Sequence, residues 1–256
     1  MKFNEQYTIE NHVIKFLREK LGFEYIKPQE FAKLREFENE YIISPLLLGA
    51  VKKINGISDE TEAQAVVREI KKLDSNEAFL NVFREGVNLK DPQTGKMRDY
   101  FILDFDKPEN NHFVVTNQFY FEGNSENIRP DVMVFVNGLP VVDIEAKSPT
   151  ASSNVNYANA VGQLKRYERN AFKLFWPNCF NVASDGLRTV YGATYAPTQY
   201  FLEWREEELN TKYGGELEMT LAALLSRERL LDIIQNFILF EKEKEGTYKK
   251  IARYMQ

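Results

Sequence analysis

The sequence predicts an α/β fold, in which a mixed β-sheet is flanked by helices. At its centre, two strand-like runs, Val132 to Val136 and Val141 to Lys147, flank Asn137-Gly138, a pair typical of tight hairpin turns. A helical pattern follows, and a second pair of strand-like runs, Cys179 to Ala183 and Thr189 to Ala193, comes after it. Strands, a helix and strands again favour a sheet with helices packed on it.

The elements before the central hairpin are mostly helical. Thr8 to Lys20 carries an apolar stripe at helical spacing, and residues 28–89 form a charged, helical packing layer. A turn at Asp91 to Lys96 leads to two predicted strands, Tyr100 to Phe105 and His112 to Phe121. We therefore expect a helical N-terminal part that leads into strands from Tyr100 onward.

The elements after the hairpin begin with a small polar run, residues 150–154, and a helix from Tyr157 to Phe175. From Glu216 onward the pattern is helical, with apolar residues on one face that extend to Phe237 and Ile238. The last sixteen residues are polar, and we expect the chain to be part of a longer protein.

Composition narrows the class of protein. The chain has 256 residues, a net charge of −5 and 43% hydrophobic residues, which describes an ordinary globular protein without a bulk basic surface for nucleic acid. No apolar run is long enough to span a membrane, and the start lacks a signal-peptide pattern. One cysteine, Cys179, and two histidines disfavour a disulfide and a structural zinc site, so we expect a cytoplasmic protein.

The central hairpin carries a charged cluster. Glu145 and Lys147 share one face of the second strand because alternate residues point the same way, and Asp131 begins the first strand beside them. Asp143 shares that face. Burying unpaired charges is costly, so two carboxylates and an ammonium here indicate a site for a divalent metal and a phosphate. Gly95-Lys96, in contrast, lacks the upstream glycine of a nucleotide-binding P-loop.

Two helices offer further candidates. Gln163 and Tyr167 lie one helical turn apart and face the same neighbour, although a buried tyrosine beside a polar residue is also an ordinary core feature. Lys165, Arg166 and Arg169 form a basic face that is either solvated or holds phosphates. Glu10 lies beside the apolar stripe of the first helix, where a solvated carboxylate favoured by the helix dipole is the leading interpretation.

These residues resemble a known family. Pro130-Asp131 followed by Glu145-Ala146-Lys147 resembles the PD-(D/E)xK nuclease signature, and Gln163 to Tyr167 is similar to the QxxxY motif. FVNGLPVVDIEAKSP and VVTNQFYFEG are similar to segments of the restriction (HsdR-type) subunit of type I restriction-modification enzymes. The resemblance implies a restriction-endonuclease-like sheet with extra N-terminal and C-terminal helices.

The resemblance also implies roles for the residues. Asp131 and Glu145 bind Mg²⁺, which Mn²⁺ can replace, and the carbonyl of Ala146 is a possible further ligand. Lys147 orients or deprotonates the attacking water or neutralises charge on the phosphate, and these roles stay open. Gln163 and Tyr167 position the DNA backbone or the metal site. Glu10 occupies the place where related nucleases often carry an acidic residue in the first helix, which offers it as an ancillary ligand.

The organisation implied by the resemblance is a nuclease domain over residues 1–215 and a helical connector over residues 216–256. KKIARYMQ is similar to the segment through which the family enters an ATP-driven, DNA-translocating motor. The expected partners are double-stranded DNA and the methylation and specificity subunits, with ATP needed only by the full-length subunit. The expected activity is therefore that of a type I site-specific deoxyribonuclease.

Two alternatives remain at this point. One is a stand-alone repair or recombination nuclease of the same superfamily, which the motor-entry tail disfavours. The other is a non-catalytic docking module of the restriction complex, whose long helical layers serve as interfaces. Metal-dependent DNA cleavage distinguishes the docking module from both nuclease hypotheses.

Overall fold

The computed structural model describes residues 6–92, 94–147, 156–243 and 246–253. Its helices are α1 (Gln6–Leu21), α2 (Pro28–Ala32), α3 (Ser44–Asn55), α4 (Glu60–Ile70), α5 (Asn76–Glu85), α6 (Tyr157–Asn170), α7 (Glu207–Tyr213), α8 (Glu216–Leu225) and α9 (Arg227–Asn236). Its strands are β1 (Glu24–Tyr25), β2 (Val87–Lys90), β3 (Met97–Tyr100), β4 (Phe113–Asn117), β5 (Val132–Val136), β6 (Leu139–Ala146), β7 (Phe180–Ser184), β8 (Thr189–Ala193), β9 (Ile238–Glu243) and β10 (Gly246–Ile251).

The main sheet has six strands in the order β1-β4-β5-β6-β7-β8. β1 pairs with β4 and β6 with β7 in parallel, whereas the other neighbours are antiparallel. This arrangement confirms the predicted mixed sheet flanked by helices. The predicted polar run at residues 150–154 and the last three residues of the chain lie outside the described residues.

Helices cover both faces of the sheet because its central strands are apolar on both faces. Val132 and Val134 belong to a core shared with α1, α3, α4, α5, α8 and α9. Met133 and Phe135 point the other way and pack against Tyr167 and other residues near the end of α6. Alternation along β5 therefore places α1 and α6 on opposite sides of the same strands.

Local sequence signals explain the helical layer. Asp59 and Ser75 accept hydrogen bonds from backbone N–H groups in the first turns of α4 and α5, which satisfies donors that a helix leaves unpaired. Gly56 ends α3 in the left-handed conformation. The layer is helical as predicted up to Glu85, after which residues 87–90 form β2 instead.

The turn at Asp91 to Lys96 joins β2 to β3 in a separate two-stranded sheet. The predicted strand at Tyr100 to Phe105 is wrong beyond its first residue. The Asn55 side chain binds both the N–H and the carbonyl of Phe101, and the Asp104 carboxylate accepts the N–H groups of the next turn. Side chains thus form the hydrogen bonds to these backbone groups that a neighbouring strand would otherwise form.

Three other predicted boundaries change. β4 stops at Asn117, because Gln118 adopts a left-handed backbone with φ of 48°. α6 ends at Asn170, and residues up to Phe175 form a 3₁₀ turn. The C-terminal segment is helical only to Asn236, and residues from Ile238 form the β9–β10 hairpin, because alternate rather than helically spaced side chains pack inward there.

α8 and α9 contribute to the same hydrophobic core as α1 and the sheet. The division of the chain at residue 215 therefore stays a prediction. Among the described residues, no helix combines the length and the apolar character needed to cross a bilayer.

The β5–β6 turn gives a first testable prediction. Asn137 and Gly138 have φ of 52° and 80°, the two positive values of the tight turn that the sequence predicted. A Cβ on Gly138 would lie 2.6 Å from the carbonyl oxygen of Ile43. We expect Gly138→Ala to destabilise the fold by about 2 kcal/mol or more, because strain in φ and a backbone clash act together.

Urea unfolding of wild type and variant measures this loss. Gly49→Ala is the matched control, because a Cβ on Gly49 meets nothing within 4 Å and Gly49 lies inside a helix. A Gly138→Ala midpoint equal to that of wild type would contradict the prediction.

Candidate active site

The charged residues predicted for the central hairpin converge in the structure. Asp131 precedes β5, Glu145 lies near the end of β6, and Lys147 follows that strand. The ammonium of Lys147 lies 3.7 Å from Asp131 Oδ2 and 3.7 Å from Glu145 Oε2. Both carboxylates are buried, while Lys147 is 15% exposed and marks the mouth of the site.

The backbone holds the two carboxylates in place. The N–H of Asp131 donates to Glu145 Oε1 at 3.1 Å, and the N–H of Ala146 donates to Asp131 Oδ2 at 3.0 Å. Each carboxylate is thus fixed by a backbone group of the other strand. Pairing of β5 with β6 therefore builds the site without long flexible connections.

α6 supplies a second set of contacts. The amide nitrogen of Gln163 donates to Glu145 Oε2 and to the hydroxyl of Tyr167, the latter at 2.8 Å. Tyr167 in turn lies 3.4 Å from the carbonyl of Arg129, near the start of β5. The structure thus brings Gln163 to Glu145 and Tyr167 to Gln163, and their spacing of one helical turn predicted that the two side chains lie together.

Glu10 also reaches the site. It is almost fully buried in α1, so the hypothesis of a solvated carboxylate is wrong. Gln118 Nε2 donates to Glu10 Oε1 at 2.8 Å and to Asp131 Oδ1 at 3.4 Å, and Asn117 Nδ2 lies 3.3 Å from Glu10. The burial that raises the pKa of Glu10 is opposed by its hydrogen bond from Gln118.

The electrostatics of the site are dominated by burial. Burial, with added repulsion from Asp143 and Asp131, raises the pKa of Glu145 well above its usual range, and Lys147 opposes this shift. Asp143 is also fully buried, and burial followed by repulsion from Asp131 raises its pKa as well. Its two carboxylate oxygens have no hydrogen-bond partner among the described residues. The site therefore holds more acidic groups than positive charge to balance them.

The donor set fits a hard divalent cation. Within the described ranges, no three carboxylate, imidazole or thiol side chains surround one metal position. Asp131 and Glu145 nevertheless offer carboxylate oxygens, and Mg²⁺ commonly uses one or two carboxylates and keeps several waters. His12 and His112 instead contact Glu218 and Glu24. The residues present thus fit Mg²⁺ or Mn²⁺ better than zinc.

The basic face of α6 is partly occupied by ion pairs. Lys165 turns inward and pairs with the buried carboxylate of Glu168, which also accepts from Asn181 Nδ2 at 2.9 Å. Arg166 lies 3.6 Å from Glu126 and half exposed, and Arg169 is exposed. Arg166 and Arg169 are therefore better placed than Lys165 to meet a phosphate.

Sequence reasoning missed three polar residues that the structure places in the interior or at the site. They are Gln118, Glu168 and Lys249. Two amides at the end of an apolar run, in VVTNQF, signalled a polar function for Gln118. Nothing in the local pattern distinguished Glu168 or Lys249 from surface charges.

Comparison with known proteins agrees with the resemblance. The family described as type I restriction enzyme R protein N terminus matches residues 2–200. The chain is 33% identical over 222 residues to the type I restriction enzyme HindI endonuclease subunit of Haemophilus influenzae, covering 81% of this chain and 21% of that protein. It is 34% identical over 249 residues to the putative MjaVIIIP endonuclease subunit of Methanocaldococcus jannaschii, covering 93% of this chain and 23% of that protein.

The chain thus spans less than a quarter of the length of these two relatives. The family match extends across the helical layer, the sheet and α6, and so includes every residue of the candidate site. These findings confirm the family predicted from the sequence: the chain belongs to the N-terminal family of type I restriction enzyme R proteins.

Proposed function

We propose that this chain is the DNA-cleaving part of a type I restriction enzyme R subunit and hydrolyses phosphodiester bonds of double-stranded DNA. The observation that carries the proposal is the position of Lys147, 3.7 Å from each of two buried carboxylates, Asp131 and Glu145. A carboxylate pair can hold the metal ion of metal-assisted phosphate hydrolysis, and an ammonium beside it can stabilise negative charge on the phosphate.

In this proposal Asp131 and Glu145 hold Mg²⁺, or Mn²⁺ in its place, and the carbonyl of Ala146 is a further ligand. When bound, the cation supplies positive charge at the scissile phosphate and a bound water of lowered pKa. Backbone N–H groups keep Asp131 and Glu145 in their orientation before substrate arrives. Gln163 fixes Glu145 from α6, and Tyr167 supports Gln163.

Lys147 is assigned the role of donating hydrogen bonds to the attacking water or to a phosphate oxygen. It lies at the mouth of the site with its ammonium between the two carboxylates. A fixed positive group at the place where negative charge develops lowers the barrier because no solvent must reorganise. Arg166 and Arg169 are proposed contacts of the DNA backbone beside the site, and Glu10 is an ancillary ligand.

The wider setting of the chain is also part of the proposal. Both relatives described above carry the name of an endonuclease subunit, one of them as putative, and both are much longer than this chain. We place an ATP-driven DNA-translocating motor outside this chain, and the methylation and specificity subunits as its partners in a cytoplasmic complex. ATP then serves the full-length subunit, and residues 216–256 serve as a connector to its motor.

Plasmid cleavage by the complete restriction enzyme that contains this chain tests the proposal. The reaction is run with ATP and Mg²⁺ on the wild-type enzyme and on a Glu145→Ala variant, because replacing the cation itself would also stop the Mg²⁺-dependent hydrolysis of ATP. We expect double-strand breaks with the wild-type enzyme and a strong loss of cleavage with the variant, while both hydrolyse ATP. ATP hydrolysis by the wild-type enzyme without any break in the DNA would favour the docking module and contradict the nuclease assignment.

A further inference from the structure

Gln118 connects two buried carboxylates of different elements. Its amide nitrogen donates to Glu10 Oε1 in α1 at 2.8 Å and to Asp131 Oδ1 before β5 at 3.4 Å. Its backbone N–H also donates to the carbonyl of Asp131 at 3.0 Å. One residue therefore binds Asp131 through both its backbone and its side chain.

The chemistry of an amide suits this place. An amide nitrogen carries two hydrogens and no charge, so a single Gln118 side chain can donate to both carboxylates at once. Glu10 and Asp131 repel each other, and this repulsion contributes to the raised pKa of Glu10. The uncharged Gln118 amide donates to both carboxylates and so fixes the distance between them. Because it carries no positive charge, it leaves their negative charge available to a cation.

The backbone conformation at position 118 favours glycine, so the presence of a glutamine there is explained by its side chain. Its φ of 48° lies in the left-handed region, which glycine adopts without strain and most other residues avoid. Asn137 shares such a φ, but it stands in a tight turn for which asparagine is a preferred residue. At position 118 a glycine would relax the backbone and lose both side-chain hydrogen bonds.

A second amide extends the connection away from the site. Asn117 Nδ2 lies 3.3 Å from Glu10 Oε1, and the hydroxyl of Tyr25 donates to Asn117 Oδ1 at 2.9 Å. Glu10 is thus held from two sides by neighbouring amides at the end of β4. Gln118 thus links Glu10 to Asp131, and Asn117 extends the connection from Glu10 to Tyr25.

We propose that Gln118 is a positioning residue of the nuclease site, which fixes Asp131 Oδ1 and the Glu10 carboxylate for cation binding. Ala146 N–H fixes Oδ2 of the same carboxylate, so Gln118 completes the restraint on the rotation of the Asp131 side chain. The inference rests on the proposed function, because it presumes that Asp131 binds a divalent cation. Hydrogen-bond partners of metal-binding groups typically change affinity or activity by about 10–100-fold when removed.

Titration calorimetry with Mn²⁺ on the purified 256-residue chain tests this inference. We expect Gln118→Gly to bind Mn²⁺ about tenfold more weakly than wild type. Its melting temperature should stay close to that of wild type, because the relief of the strained φ offsets the loss of the two side-chain hydrogen bonds. Weaker Mn²⁺ binding without a fall in melting temperature indicates a positioning role. A merely structural role would lower the Mn²⁺ affinity and the melting temperature together.

Asn110→Gly is the matched control. Asn110 also donates an amide hydrogen to a carboxylate, Asp104 at 2.7 Å, but it precedes β4 whereas Gln118 follows it. Its Mn²⁺ affinity should equal that of wild type. The result that supports the inference is therefore weaker binding in Gln118→Gly alone.

The failures of the inference and of the proposed function are distinguishable. Equal Mn²⁺ affinity in wild type and Gln118→Gly overturns the inference and leaves the proposed function in place. A parallel loss of affinity and melting temperature also overturns it, in favour of a structural role. Wild-type protein that binds no Mn²⁺ overturns both.

Discussion

Alanine in place of Lys147 is expected to reduce DNA cleavage by the complete restriction enzyme by about 10³-fold or more, while ATP hydrolysis persists. The expectation follows from the position of the ammonium, which lies 3.7 Å from Asp131 Oδ2 and 3.7 Å from Glu145 Oε2. Removing one preorganised group that stabilises transition-state charge costs about 10²–10³-fold in other enzymes, and here the charge balance of two carboxylates is lost as well. Plasmid cleavage and phosphate release, assayed in the same reaction, separate the two activities.

Asp131→Ala and Glu145→Ala should have the same consequence, because each removes a carboxylate proposed to hold the cation. Lys72→Ala is the matched control, since Lys72 also pairs with a carboxylate, Glu69 at 2.6 Å, but lies on the exposed surface of the helical layer. The control should cleave normally. Cleavage retained in all three site variants would refute the assignment of these residues.

Methionine in place of Lys249 is expected to change how stability depends on pH. Lys249 of β10 is buried, and burial lowers the pKa of its ammonium from 10.5 to about 8. Its Nζ donates to the carbonyl of Asn178 at 2.8 Å. In the unfolded chain the lysine regains its ordinary pKa, so the unfolded state binds the proton more tightly.

The sign of the pH effect follows from that difference. Below about pH 8 both states are protonated, and the cost of the buried charge is fully present. As pH rises toward 10.5, the folded state is neutral first and stability increases by about 3 kcal/mol. Lys249→Met lacks this gain, so the variant should be more stable relative to wild type at neutral pH than at pH 10.5.

Urea unfolding of both proteins across this pH range measures the difference. Burial also raises the pKa of Cys179 to about 11, but this thiol is present in both proteins and its contribution largely cancels. Lys250→Met is the control, because Lys250 is exposed and pairs with Glu241 on the surface of the hairpin. Parallel stability curves for wild type and Lys249→Met would show that the lysine is not buried as the structure places it.

The residues of the site that the sequence predicted are those whose positions depend on turn type, strand alternation or helical spacing within neighbouring segments. Asn137-Gly138 set the hairpin, and alternation along β6 placed Glu145 and Lys147 on one face. Helical spacing placed Gln163 and Tyr167 together in the same way. These relations depend on neighbours within one element, so a single sequence is sufficient to find them.

The remaining features depend on contacts between distant elements. Glu10 meets Gln118 across more than a hundred residues, and no local pattern encodes which helix face covers the end of β4. Lys249 and Lys250 read alike in a charged tail, yet strand alternation buries one and exposes the other. Lys165 looked like a free basic group because the burial of Glu168 beside it was not visible in the sequence.

Crystals of the 256-residue chain soaked with Mn²⁺ test the central claim most directly. The anomalous signal of manganese locates the cation without reference to the protein coordinates. We expect one manganese peak within about 2.0–2.4 Å of carboxylate oxygens of Asp131 and Glu145, beside the ammonium of Lys147. A manganese peak away from Asp131 and Glu145, with none between them, would contradict it.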